Sequence, residues 1–291
     1  MRARSARFTR FASLALALAG TAIVHAQAPA PAAPAALPLT LDIVVGGNGA
    51  VIGIDAGALP LALDAELILQ FDDVQNLCAD SLGISAQIVN PLDPAFVARL
   101  PQGSQLPLAL PLVVRVEPPA SSSCGALTFT DTVRAEIHTH LLPYTVDSPL
   151  RLFKAPLGGM FYDITDGVAP GSVRTSGRTG GFSEFIVVVD LTAPADAADA
   201  KYQYLAARLA NPAIDPPVRA ALEADLAASR AAFDADDAAA AIASIDAFTA
   251  RVSASTNAQI PDRWRAQRDL DNIAGDLLGE AAALRFLLGR L

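Results

Sequence analysis

Histidine and cysteine are scarce in this chain: of 291 residues, three are histidine and two are cysteine. His25 falls within an N-terminal leader, which leaves His138 and His140 as the imidazoles of the chain body. Histidine-based metal or acid–base chemistry is therefore confined to one neighbourhood. A hydrolytic triad would need a serine beside one of them. Ser183, in Gly181-Phe-Ser-Glu-Phe185, lacks the G-x-S-x-G elbow and sits in a strand-like run. The glycines of Gly46-Gly-Asn-Gly49 are followed by neither Lys-Ser/Thr nor a helix pattern, so they read as a hairpin turn rather than a phosphate loop. Basic residues number 21 against 30 acidic ones, a net charge of −9. That surplus argues against nucleic acid or anionic lipid as a partner and serves mainly solubility.

What is present begins with an export signal. Arg2, Arg4, Arg7 and Arg10 precede an apolar run from Phe11 to Val24, with small residues at Val24-His-Ala26 for cleavage. The run is too short for a comfortable membrane span. The expected organisation is a signal peptide over 1–26, an extended Ala/Pro-rich spacer over 27–38, and a mature chain that is exported, periplasmic or extracellular, with no transmembrane segment after cleavage. Removing four arginines makes that chain more acidic still. Cys78 and Cys124 suit an oxidising compartment as a disulfide. A bond closing that loop would add about 4 kcal/mol by chain entropy. Two buried thiols or a thiolate catalyst are the alternatives.

Composition changes near residue 193. Up to Leu191 the apolar pattern has a period of two, broken by Gly and Pro. The stretch from Pro149 to Val189 organises this part. Leu150 to Phe153 alternates, Gly158-Gly159 turns, Phe161 to Ile164 returns, and Gly177, Gly180 and Gly181 open a further turn. Phe182 to Val189 is nearly continuous apolar sequence, as in a fully buried strand. Strands are also expected over Leu39–Val45, Ala50–Ile54, Leu61–Phe71, Ile84–Val89, Phe96–Leu100 and Leu106–Val116. One or two more fall within Leu127–Leu142, broken near Asp131. Short strands at this spacing predict an antiparallel β-sandwich over residues 39–192.

Beyond Ala193 no glycine occurs until Gly275, and apolar residues recur at helical spacing. The first helix carries Tyr202, Leu205 and Leu209. The second starts at Asp215-Pro216 and carries Leu222, Leu226 and Phe233. The third carries Ile242, Ile245, Phe248 and Val252. The last runs from Pro261 through Trp264, Leu270, Ile273 and Leu277 to Leu288. Single apolar stripes must pack on one another, which predicts a three- to four-helix bundle over 195–291 and a segregated α+β fold. Gly275 and Gly279 imply a close helix or sheet contact, because each costs a helix about 1 kcal/mol.

Residues Leu152, Phe153, Gly159, Phe161, Asp163, Ile164, Thr165, Gly177, Phe182, Ser183, Phe185 and Ile186 form a pattern similar to the terminal hairpins of exported bacterial β-sandwich modules. With the NLCADSLG and VRVEPP segments, the chain also resembles an uncharacterised family of secreted proteobacterial proteins, a domain of unknown function. Leu226, Ala240, Ile245, Ala247-Phe248, Val252, Ile260 and Ala274 resemble the helical modules called FIMAH, although Thr249 departs from their core motif. These resemblances imply fold and compartment, an accessory bundle, and no catalysis.

Candidate chemistry is sparse. His138 and His140, two apart on a strand, would present both rings on one face to zinc or copper, with Asp163 as a distant third ligand. Asp163 paired with Glu184 or Glu136 could serve a glycosidase. Asp163-Ile-Thr-Asp166 could hold structural calcium, though without EF-hand spacing; a cap on its own turn is the simpler role. The expected protein has no cofactor and is an exported, non-catalytic binding or envelope-associated scaffolding module with an unknown protein or glycan partner. The alternative is a carbohydrate-active hydrolase using acidic residues of the sandwich.

Overall fold

A computed structural model describes residues 39–56, 63–145, 147–169 and 172–291. The expected signal peptide and spacer lie outside the described residues. The chain runs β1 (Thr40–Gly46), β2 (Gly49–Asp55), β3 (Asp64–Gln75), α1 (Ala79–Leu82), β4 (Ile84–Ile88), α2 (Pro94–Val97), β5 (Ser104–Gln105) and β6 (Leu112–Val116). It continues with β7 (Thr128–Pro143), β8 (Leu150–Ala155), β9 (Tyr162–Asp163), β10 (Thr165–Ala169), β11 (Ser172–Thr179) and β12 (Glu184–Asp190). Then come α3 (Pro194–Leu209), α4 (Pro216–Asp234), α5 (Ala238–Ala254), β13 (Arg263–Arg265) and α6 (Ile273–Leu288).

The fold is mixed α+β with two antiparallel sheets. The first has the order β1-β2-β3-β7-β11-β10, with β13 also on β7; the second has the order β4-β6-β12-β8-β9, with β5 also on β12. Alternation aims one face of each sheet at a shared core. Ile52, Leu67, Leu69 and Ile137 come from the first sheet, and Val114, Leu152, Phe185 and Val187 from the second. The intervening residues of the second sheet, Val113, Phe153, Ile186 and Val188, are also buried, in a separate cluster with Phe96, Leu106 and Phe161. Cover on both faces is why Phe182 to Val189 reads as nearly continuous apolar sequence.

Helices α3 to α6 bury the predicted stripes in another cluster, including Leu205, Leu222, Ile245, Phe248, Leu277 and Leu284. Strand gives way to helix between Asp190 and Pro194. The described residues nevertheless form one compact unit, and packing runs across that change. Helix α6 lies against the first sheet through its glycines. A Cβ on Gly275 would sit 2.7 Å from Gly180 Cα, and one on Gly279 would sit 2.9 Å from the carbonyl carbon of Arg178. The close contact expected of the two glycines is therefore with strand β11, the turn after it and the Asp131 carbonyl of β7.

Four local expectations are corrected. The last helix does not start at Pro261. Arg263-Trp264-Arg265 instead forms β13, paired with Thr128–Thr130 of β7. Its alternation buries Trp264, stacked on Phe129 at 5.3 Å and edge-on to Phe182 at 5.2 Å. Asn272 then caps α6 by accepting a hydrogen bond from Gly275 N at 2.8 Å. Phe96–Leu100 is not a strand: Asp93 caps the helical turn α2 by accepting from Ala95 N, with Pro94 at the first position. Gly177 opens no turn, because it pairs with Ala135 inside β11, where a side chain would strike the backbone of Ile164. Strand β8 does not have the one exposed face that the alternation of Leu150 to Phe153 predicts, since all six residues are buried, including Arg151 and Lys154.

Candidate functional site

Buried charge converges where β8, β9 and the end of β12 meet α3 and α6. Pairing of Phe153 with Asp163 and of Lys154 with Tyr162 sets β9 against β8. Asp163 Oδ1 accepts from Thr165 N at 2.8 Å and Thr165 Oγ1 at 2.5 Å, which fixes its side chain. Thr165 Oγ1 in turn accepts from Leu152 N at 2.8 Å, tying this turn to β8. Ala197, Ala200, Lys201 and Tyr204 recur at helical spacing on the cavity face of α3. Lys201 Nζ donates to Glu280 Oε2 of α6 at 2.5 Å and to the carbonyl oxygen of Asp163. The side chains of this pair are 8% and 6% exposed, so each charge depends on the other for compensation.

Asp163, Ala197, Ala200, Lys201, Tyr204 and Glu280 line a cavity of about 360 Å³. Tyr162 and Tyr204 stack with centroids 6.1 Å apart, and Lys201 Nζ lies 5.7 Å from the Tyr162 centroid. Asp190 closes another side. Its Oδ1 accepts from Thr192 N at 3.0 Å and Thr192 Oγ1 at 2.7 Å. Lys154 Nζ donates to Thr179 Oγ1 at 2.5 Å. Arg208 bridges Asp271 and Asp276, with 2.8 Å to Asp276.

Burial dominates the titration of this group. It raises the Asp163 carboxyl, against the pull of Lys201 and the Thr165 hydrogen bonds. It raises Glu280 against Lys201, and Asp276 against Lys154 and Arg208. It lowers the Lys154 ammonium against Asp276 and Glu280, and holds the Tyr162 phenol well above its usual range. Of these groups, Asp163, Glu280 and Tyr162 line the cavity, which makes it the candidate site.

The residues expected to carry chemistry are distributed differently. Cys78 and Cys124 are joined, with S–S 2.04 Å. His138 and His140 lie ring to ring at 4.9 Å on β7, and His138 Nδ1 is 2.9 Å from Glu66 Oε2. Asp163 belongs to the other sheet, so the structure does not bring the proposed metal triad together. Among the described residues no three His, Cys, Asp or Glu side chains group as a metal site. Asp163, Glu184 and Glu136 also occupy separate networks. Arg99, Arg115 at 2.7 Å and Gly158 N bind Glu184, which is 0% exposed. Although burial opposes it, the arginine hydrogen bonds hold the Glu184 carboxyl below its usual range. Glu136 pairs with Arg134 at 2.9 Å and Arg174 at 3.0 Å. Ser183 Oγ lies 3.4 Å from Glu117. Asp163 does cap its own turn.

Sequence reasoning missed Lys154, Lys201, Glu280 and the two tyrosines. A lysine within the buried run of β8, and Lys201-Tyr-Gln-Tyr204 on α3, were the available signals.

One family model runs through both the strand and the helix regions, over residues 17–291. The chain belongs to the family of unknown function DUF6689. No curated protein and no solved structure matches it. The cavity lies within the matched range, and its walls come from both sides of the strand-to-helix change.

Proposed function

We propose that this DUF6689 member is an exported, non-catalytic binding module, a β-sandwich carrying an α-helical bundle, whose ligand site is the cavity at their junction. The observation that carries this reading is the meeting of Lys201, Asp163, Glu280 and two tyrosines around about 360 Å³. Two sheets facing one core support the sandwich, and four helices sharing another support the bundle. The Cys78–Cys124 bond supports export. Among the described residues no helix is long and apolar enough to cross a membrane. Two of the cavity carboxylates, Glu280 and Asp163, are already engaged, by Lys201 and by Thr165, an arrangement suited to fixed geometry rather than proton cycling.

A second reading, a carbohydrate-active hydrolase, draws on one fact: burial raises two carboxyls, Asp163 and Glu280, on one cavity. A single experiment separates them. The purified mature chain is screened by thermal shift against glycans, small metabolites and peptides, with product analysis of every mixture. Binding predicts a rise in Tm with intact ligand, about 2.7 kcal/mol at a hundredfold excess over Kd. Hydrolysed glycan would overturn the non-catalytic reading.

A further inference from the structure

We infer that this chain self-associates through its edge strand β1, which pairs antiparallel with the β1 of a second copy. The two sides of the paired sheets are closed differently. Edge strand β10 of the first sheet lies beside α6. Strand β1, the other edge, has no neighbour beyond it among the described residues. Strand β4, an edge of the second sheet, is on the same side, since α1 just before it approaches β1. Core cover is incomplete there: Leu41, Ile43 and Val45 of β1 and Ile84, Ala86 and Ile88 of β4 are only partly buried. Strand β1 also lacks the devices that blunt an edge. It has no proline, lysine or arginine, its ladder with β2 is unbroken, and its single charge is Asp42. The segment before it is a poor cover, because Pro29, Pro31, Pro34 and Pro38 donate no ladder hydrogen bonds.

The strand is complementary to itself. Its turn, Gly47-Asn48 with φ +56° at Gly47, closes on the pair Gly46–Gly49. In a two-residue hairpin that closing pair is hydrogen-bonded, so Thr40, Asp42, Val44 and Gly46 bond to β2. The N–H and C=O groups of Leu41, Ile43 and Val45 therefore point outward. A two-fold axis at Ile43 matches these groups: Leu41 meets Val45 of the second copy, Ile43 meets Ile43, and all of Thr40–Gly46 is paired. The apolar side chains of these residues then extend the core layer across the axis. On the outer face the same register sets Asp42 opposite Val44. The adjacent register in one direction brings Asp42 against Asp42, and in the other it leaves Thr40 and Leu41 unpaired. This self-match favours a second copy over an unrelated strand. The ligand cavity borders β8 and β9, toward the far edge of the second sheet, so the dimer presents two open cavities.

The test is sedimentation velocity of the mature full-length chain over about 1–300 μM, a range that brackets weak association. A reversible monomer–dimer equilibrium is expected, since one edge pairing is at the low end of interface sizes. Val44 is 60% exposed, so substitutions there spare the monomer fold, which circular dichroism checks. Val44→Lys faces Asp42 across the axis and should tighten the dimer several-fold. Val44→Asp meets it with like charge and should weaken the dimer by up to about tenfold. Both shifts should shrink at high salt. A monomer at every concentration overturns the inference. So does a dimer that both variants leave unchanged, or that both weaken, because Val44 then lies outside the interface or serves a different one.

Discussion

Substituting alanine for Gly279 tests how α6 is seated. On an unobstructed helix this change stabilises by about 1 kcal/mol, because glycine gives up more backbone freedom on folding. Here the new Cβ would lie 2.9 Å from the carbonyl carbon of Arg178 and 3.3 Å from Thr179 Cα, and closer still to the Arg178 oxygen. Those atoms belong to the backbone of β11, which pairs with β7 and β10 and cannot swing aside as a flexible side chain would. The helix must lift instead, at the about 1–3 kcal/mol typical of overpacking. The two effects leave a net loss of up to about 2 kcal/mol. At about 2–4 °C per kcal/mol for a chain of this size, Tm should fall by up to about 8 °C. Gly289→Ala is the internal control: its φ is −70°, and its nearest neighbours to a Cβ lie at 3.5 and 3.6 Å. It should change stability by no more than about 0.5 kcal/mol. Urea unfolding of both variants, followed by circular dichroism, provides the comparison. A Gly279→Ala protein more stable than the parent would show that α6 does not rest on the sheet in this way.

Further outcomes follow from the buried network and the core. Lys201→Met should cost about 3–5 kcal/mol by stranding Glu280, and adding Glu280→Leu should restore much of it; denaturant midpoints of the single and double variants report both. Because burial raises Asp163, Asp276 and Glu280, the folded state holds protons that the unfolded chain releases. Their favourable contribution is complete below about pH 4, the unfolded carboxyl range, and is lost as pH rises through the folded values. A stability–pH series on Asp276→Asn should show a shallower decline over that window than the parent. Trp264→Ala should cost about 3–5 kcal/mol, because the ring is 8% exposed between Phe129 and Phe182. Replacing Cys78 and Cys124 together by serine should cost about 4 kcal/mol by loop entropy, and the parent protein should show no alkylatable thiol before reduction.

Periodicity located most elements and few of the contacts that matter for the site. The stripes Leu205–Leu209, Leu222–Leu226 and Ile245–Val252 point inward as their spacing demands, since a helix presents one face every 3.6 residues whatever it meets. Strand β13 escaped because three alternating residues, read inside a helical region, match part of either period. Asp93-Pro94 and Asn272 were legible caps, passed over because apolar residues follow each of them. The charged cavity was not legible, because Lys201 meets a carboxylate 79 residues away and no local pattern records such a meeting.

The sequence by itself determined the change of period near residue 193, the faces of α3, α4 and α5, and the presence of two cysteines able to pair. These follow from local backbone geometry and from the separation of apolar from polar groups. Only the tertiary structure decided that α6 lies on β11, that β13 joins β7, and that a lysine, carboxylates and tyrosines from distant segments enclose one cavity. Ion pairing and close packing act through space, and which charges are buried together is set once the layers have come into contact.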